Sequence, residues 1–324
     1  MRNLGLIEPI DSSFRAPTVL VRKKNIGNGA SLTDQYRLCV DFRFLNDKLL
    51  DSGWPTFSID HCLDAAVGSI FLSSIDFNSG YHQIPCTLET KKALAFSPGF
   101  GFPQYTWNVM LQGIKPAANC FQRIMERTFK DLEECILPPF YDDIMVKGTD
   151  FETHLLNLEK VFTRIRECGY TLNALKCQFF RTSIKYLGYI IDNGRISLDP
   201  ERIEAIRNFP VPLNVKSLRR FLGMVQFCSR FIPDLNRELS PLHGLTRKNV
   251  QFNWNEECQK SFEYAKEKLS KPPVLGLPSI NDYFILETDA SDKGIGACLK
   301  AVSPFGREFI VAFYSSKLTD IKCK

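Results

Sequence analysis

Near the middle of the chain, the run CILPPFYDDIMVKG sets two adjacent carboxylates, Asp142 and Asp143, between apolar residues on both sides. Apolar, polar, apolar over this length suits a β-hairpin whose tip carries Tyr141, Asp142 and Asp143. Adjacent carboxylates repel: at an effective dielectric of roughly 20, two unit charges about 4 Å apart cost on the order of 4 kcal/mol. Water at an open turn offsets that repulsion, and so does a divalent cation; the dipeptide alone does not choose between them. Pro138 and Pro139 weaken the first strand of the hairpin, because proline has no N–H to give to a ladder.

Other segments place a third carboxylate nearby. IFLSSIDF alternates, with Ile70, Leu72, Ser74 and Asp76 on one face, so Asp76 ends a strand where that face turns polar. Asp76, Asp142 and Asp143 converging on one sheet surface make a hard, oxygen-rich site of the kind that binds Mg²⁺. Two such ions about 3.5–4 Å apart activate a 3′-hydroxyl and stabilise a leaving phosphate.

RAPTVLVRKK and YRLCVDF predict two strands joined by the glycine-containing NIGNGASLTDQ, with Lys23 and Arg37 among its basic flanks. KPAANCFQRIMERTFKDL predicts a core helix, with Pro116 in its first turn and Phe121, Met125 and Phe129 inward. DFETHLLNLEKVFTRIRECG predicts an amphipathic helix buried through Leu155, Leu158, Phe162 and Ile165 and stopped at Gly169. KYLGYIIDNGRISLD predicts a hairpin turning at Asn193-Gly194. After Pro210 and Pro212, NVKSLRRFLGMVQFCSRFIPD is helical, with Leu218, Phe221, Leu222 and Val225 on one side, and opens a small helical domain. PPVLGLP reads as a linker. Beyond it DYFILETDAS, GIGACLKAV and EFIVAFYSSKL read as three strands with no covering helix, so this last unit is expected to be truncated, with one face unburied.

The 324 residues, 44% hydrophobic and 24% charged, suit two or three globular domains and exclude wholesale disorder. The formal charge is +5, but residues 202–248 hold nine Lys or Arg against three acids. A polyanion partner explains that patch, and so does a solvated face. The eleven cysteines contain no CxxC pair and no Cys/His cluster, so they are expected to be reduced thiols. With no signal peptide and no apolar run of membrane length, the expectation is a soluble cytoplasmic protein with no membrane partner.

In order along the chain, the blocks GLIEPIDSSFRAPTVLVRKK, YRLCVDFRFLN, FLSSIDFNSGYHQI, KKALAFS, YTWNVMLQGIKPAANCFQRIM, FYDDIMV, YLGYIID, LDPERIEAIRNFPVPLNVKSLRRFLGM and FILETDASDKGIGACL resemble the reverse transcriptase family. The resemblance is to the polymerases of gypsy-type LTR retrotransposon Pol polyproteins and their caulimovirus and retrovirus relatives. It implies an α+β right-hand polymerase followed by a truncated ribonuclease H-like α/β domain. The implied divisions are fingers and palm at 1–200, thumb at 201–249, a tether at 250–278 and the incomplete ribonuclease H-like domain at 279–324. It also implies that Asp76, Asp142 and Asp143 hold two Mg²⁺ ions, for which Mn²⁺ can substitute.

Further roles follow from the same resemblance. Tyr81 blocks a 2′-hydroxyl, Lys23 and Arg37 grip the triphosphate, Gln112 lies beside the incoming sugar, and Tyr141 fills the aromatic position before the Asp pair. Tyr186 and Gly188 lie closest to the primer terminus, and Arg219 and Arg220 belong to a thumb that tracks duplex phosphates. The implied partners are an RNA or DNA template with annealed primer, deoxynucleoside triphosphates, and an oligomer or virus-like particle context. Leu111 stands where the family typically has proline. Asp289 matches the first ribonuclease H carboxylate, but the later acids of that site are not in this sequence, so no ribonuclease H activity is expected. The alternative reading is a decayed or co-opted element kept as a non-catalytic nucleic-acid-binding or interaction module.

Overall fold

The computed structural model describes residues 1–22, 35–51, 53–279, 281–291 and 294–317. It divides into two compact units: Met1–Ser58, Ser74–Val146 and Leu156–Gln178 form one, and Ile59–Ser73, Lys147–Leu155 and Phe179–Lys324 form the other.

In the first unit, short antiparallel ladders pair Ile7–Pro9 with Tyr105–Trp107 and Thr18–Arg22 with Tyr36–Val40. Phe42, Leu94, Phe96, Trp107 and Leu111 form a buried cluster beside them. Leu111 therefore earns its place by packing. The helix Ala117–Thr128 starts after Pro116, as its sequence requires, and buries Phe121 and Met125. Each such side chain contributes about 1.5–3 kcal/mol on leaving water. The same face buries one polar residue completely, Gln122.

The strand Phe71–Ile75 is the middle of a three-stranded sheet, flanked by Ile144–Gly148 and Gln178–Arg181. Leu72, Ser73 and Ile75 are all buried, so both faces of this strand are covered, and Asp76 is the first residue past its end. The following helix, Phe151–Glu167, is turned relative to the sequence expectation. Leu158 and Ile165 are buried as expected, but Leu155 is exposed, and the inward stripe is completed by His154, Asn157 and Val161. The 154, 157, 158, 161, 165 spacing is itself a helical period. Two polar residues on it hid the stripe.

In the second unit, His154 and Ser73 share a 2.6 Å hydrogen bond, while Ser73 Oγ accepts from the Phe180 N–H. Burial holds the imidazole below its ordinary proton affinity. The unfolded chain therefore binds the extra proton more readily, and stability is lost as pH falls through the unfolded value of about 6.5. The urea midpoint is expected to drop from about pH 7.5 to about pH 5.5, and to drop less in a His154→Gln variant. Equal drops in the two proteins contradict this assignment.

Four antiparallel strands follow in the order Leu275–Gly276, Arg195–Leu198, Tyr189–Asp192, Ser183–Tyr186. The turn at Asn193-Gly194 is where the sequence puts it, and a second turn stands at Leu187-Gly188. All four residues have positive φ, the backbone that two-residue hairpins favour. PPVLGLP is not a free linker: Leu275 and Gly276 pair with Ile196 and Arg195, and Leu275 and Leu277 are buried. The helix Val215–Phe227 begins with a capping box from Asn214 and Ser217 and buries Leu218, Phe221, Leu222 and Val225 as expected. Strands Tyr283–Ser291, Gly294–Val302 and Glu308–Lys317 form a meander whose first strand is exposed at every residue, leaving apolar side chains such as Tyr283 and Leu286 in water. No helix among the described residues is long and apolar enough to cross a membrane, and every described cysteine is free.

Candidate active site

The Asp142-Asp143 hairpin is built with few ladder bonds. Leu137 N–H donates to the Met145 carbonyl at 2.8 Å, and Phe140 and Asp143 exchange backbone bonds of 3.3 and 3.0 Å. Between them Pro138 and Pro139 offer no donor, so the first strand is reduced to bridges at Ile136 and Phe140. The prolines shorten the strand as expected. The tip is tied instead by Gln122. Its Nε2 donates to the Pro139 carbonyl and to Glu126 Oε1, both at 2.7 Å, and its Oε1 accepts from the Tyr141 N–H at 2.6 Å. That clamp holds Tyr141 at φ 53°, a left-handed backbone that a bulky residue adopts only when its surroundings impose it.

Asp76 follows the end of the strand Phe71–Ile75, which pairs with the hairpin's second strand, Ile144–Gly148. The Asp76 N–H donates to Cys177 Sγ at 3.3 Å, and its carbonyl accepts from the Asn173 N–H at 2.9 Å. Lys176 Nζ lies 3.9 Å from Asp76 Oδ2.

Electrostatics tie the three carboxylates together. Asp143 has its proton affinity raised, first by removal of its inner side from water and then by the charges of Asp142 and Asp76. Asp142 and Asp143 nonetheless keep solvent-exposed surface, so water screens part of their repulsion. Tyr81 is raised too, by burial first and then by Asp142 and Tyr141, and its ring stacks on Phe121 with centroids 4.5 Å apart. Asp76, Asp142, Asp143, Tyr81 and Tyr141 thus share one neighbourhood. Among the described residues, no group of three or more His, Cys, Asp or Glu side chains is gathered so as to hold a metal ion by itself. Hard oxygen donors of this number fit Mg²⁺ in the manner usual for it, with one or two carboxylates per ion and the remaining positions filled by water and substrate phosphate.

Gln112 is exposed in the first unit. Lys23 lies outside the described residues, and of Arg37 only the backbone is described, on the strand Tyr36–Val40. In the second unit, Tyr186 is 2% exposed, and its ring packs in the core. Gly188, at φ 85°, leaves no room for a Cβ beside Arg202 and Phe227. Arg219 donates to the Thr246 carbonyl, Arg220 lies over Phe209, and both stay exposed. The basic segment is partly self-neutralised: Arg230 pairs with Asp60 at 2.7 Å and Arg237 with Glu238 at 3.2 Å. Asp289 lies on the exposed first strand of the meander.

Gln122, Asn173, Lys176 and Cys177 were not among the expected site residues. Gln122 had a signal, an amide on the apolar stripe beside Phe121 and Met125. The other three had none, because their roles come from a loop folding back on Asp76.

The model of a family described as Reverse transcriptase (RNA-dependent DNA polymerase) matches residues 21–191, and that of an RNase H-like domain found in reverse transcriptase matches residues 254–324. The Retrovirus-related Pol polyprotein from transposon 412 of Drosophila melanogaster is 33% identical over 97% of this chain and 25% of its own length. The corresponding polyprotein from transposon opus of the same species is 31% identical over 97% of this chain and 32% of its own length. The chain therefore spans about a quarter to a third of these curated relatives. Among solved structures, a foamy viral protease-reverse transcriptase in complex with double-stranded DNA superposes with a TM-score of 0.84 at 23% identity, over 100% of this chain and 55% of that one. The same viral enzyme in complex with RNA/DNA hybrid gives 0.79 at 23% identity, over 99% and 42%. These structures share the fold.

Proposed function

The chain belongs to the reverse transcriptase family, and from that premise we propose that it is an RNA-directed and DNA-directed DNA polymerase of a gypsy-type retrotransposon, transferring a nucleotidyl group from a deoxynucleoside triphosphate to a primer 3′-hydroxyl. The observation that carries this reading is the match of the reverse transcriptase family model to residues 21–191, a span that contains Asp76, Asp142 and Asp143. Asp76, Asp142 and Asp143 hold the two Mg²⁺ ions, or Mn²⁺ in their place. Bound there, the ions lower the proton affinity of the primer hydroxyl and offset charge on the leaving phosphate.

The chain's own residues supply positioning. Gln122 fixes the hairpin tip, and the Asn173–Cys177 segment fixes the Asp76 corner. Lys23 and Arg37 grip the triphosphate, Gln112 lies beside the incoming sugar, and Arg219 and Arg220 contact duplex phosphates. Tyr186 and Gly188 lie closest to the primer terminus. Residues 1–200 serve as fingers and palm, 201–249 as thumb, 250–278 as a structured tether, and 279–324 as part of a ribonuclease H-like domain with Asp289 as its first carboxylate. Template-primer and deoxynucleotides are the partners, in the cytoplasm and within a particle.

Tyr81 stands beside Asp142 with its ring braced by Phe121, a rigid wall against a 2′-hydroxyl. Tyr81→Ala is expected to raise ribonucleotide incorporation relative to deoxynucleotide by about 10- to 100-fold, the worth of one steric contact. An unchanged ratio contradicts the assignment. The function itself is tested by extending an annealed primer on an RNA template and on a DNA template with deoxynucleotides and Mg²⁺. Extension on both is expected. A folded chain that shifts primer-template on a gel and extends neither is a binding module instead.

A further inference from the structure

We propose that Cys177 is a positioning residue for Asp76: its thiol holds the backbone of the carboxylate at the point where the strand ladder stops. The inference rests on the polymerase reading for its functional consequence, while the contact itself is tested independently of activity.

The strand Phe71–Ile75 ends one residue before Asp76, so the Asp76 amide and carbonyl must find partners outside the strand. Both partners come from one returning segment. The Asn173 N–H donates to the Asp76 carbonyl at 2.9 Å, and the Asp76 N–H donates to Cys177 Sγ at 3.3 Å, with the thiol a further 3.9 Å from the same carbonyl. The corner is continued by a bridge between Phe77 and Leu172 and by Asn78 N–H donating to the Thr171 carbonyl at 3.0 Å. Gln83 locks it, donating to the Asn78 and Thr171 carbonyls at 2.9 Å each and accepting from the Thr171 N–H at 2.7 Å.

Of the contacts to the Asp76 main chain in this set, the one from Asn173 is backbone to backbone and the other two are made by the Cys177 thiol. Cys177 supplies the only side chain among them, so it is the point where substitution reaches Asp76 without removing a carboxylate. The neighbouring Lys176 places its ammonium 3.9 Å from Asp76 Oδ2, so the same segment sets both the backbone position and the local charge. A thiol is a weak acceptor, but a hydroxyl keeps the bond and a valine of similar bulk does not. Losing it leaves the amide of the metal-holding residue without its partner, and outer partners of metal ligands carry much of the affinity.

The experiment compares the purified chain with Cys177→Ser and Cys177→Val, using Cys168→Ser, an exposed cysteine, as the control. Two readouts are taken: amide hydrogen exchange of the peptide spanning Ser74 to Asn78, and the Mg²⁺ concentration for half-maximal primer extension. Cys177→Val is expected to speed exchange in that peptide and to raise the Mg²⁺ requirement by about tenfold or more, with primer-template affinity unchanged. Cys177→Ser is expected to restore both. A Cys177→Val protein with wild-type exchange overturns the contact. One with faster exchange but a wild-type Mg²⁺ requirement overturns the positioning role, as does a Cys177→Ser protein as impaired as the valine variant. If the unmodified chain extends no primer, the polymerase reading fails and the exchange data alone decide the contact.

Discussion

Asp143→Asn is expected to lower the rate of primer extension by on the order of 1,000-fold, while leaving the urea midpoint equal to or above that of the unmodified chain. The two halves have one cause. Asp143 carries a charge that burial and two neighbouring carboxylates disfavour. A neutral amide of the same shape removes that penalty in the folded chain, so stability does not fall. It also removes one charged oxygen ligand. Charge stabilisation by a bound ion is worth several kcal/mol in a transition state, and each 1.4 kcal/mol or so is a factor of ten in rate. Rate and stability moving in opposite directions is the mark of a functional residue held against local electrostatics. A variant that loses stability and rate together means that Asp143 is structural.

Gln122→Ala is expected to do the reverse, costing stability first and rate as a consequence. The amide is fully buried and makes three hydrogen bonds, two of them to the backbone on either side of Phe140. Removing it strands the Pro139 carbonyl and the Tyr141 N–H, at about 1–3 kcal/mol for each buried group left unpaired. The urea midpoint is expected to fall with little change in slope. Extension is expected to fall too, even at temperatures where the variant is folded, because Tyr141 no longer has the clamp that holds its left-handed backbone. A variant with the original midpoint and rate shows that the hairpin sets its own tip.

Much of the fold was legible because it follows local rules. Asp76 at a strand end, the helix after Pro116, the turn at Asn193-Gly194 and the helix after Asn214 all lie where alternation, capping and turn chemistry put them. The errors share a different origin. Leu155 was expected inside and is exposed, because a hydrogen bond with Ser73 lets the neighbouring imidazole of His154 take the core position. PPVLGLP looked like a connector because a two-residue strand has no periodicity to read. Pro138 and Pro139 weaken the hairpin's first strand as expected, but the tie that Gln122 makes to the tip comes from a different element. For the site, the sequence supplied the carboxylates and Tyr81. Of the residues that hold them, Gln122 shows in the sequence only as an amide on an apolar stripe, while Asn173 and Cys177 act on a distant backbone group, and sequence spacing carries no trace of that.

The central claim is that Asp76, Asp142 and Asp143 form a metal-dependent nucleotidyl-transfer site. It is tested most directly by oligo(dT)-primed extension on an RNA homopolymer with Mg²⁺ or Mn²⁺, run beside an Asp142→Asn/Asp143→Asn double variant. Circular dichroism and a primer-template gel shift establish that both proteins fold and bind. The account predicts a metal-dependent ladder from the unmodified chain and none from the double variant at equal folding and binding. Equal extension by the double variant, or none by an unmodified chain that folds and binds, contradicts it.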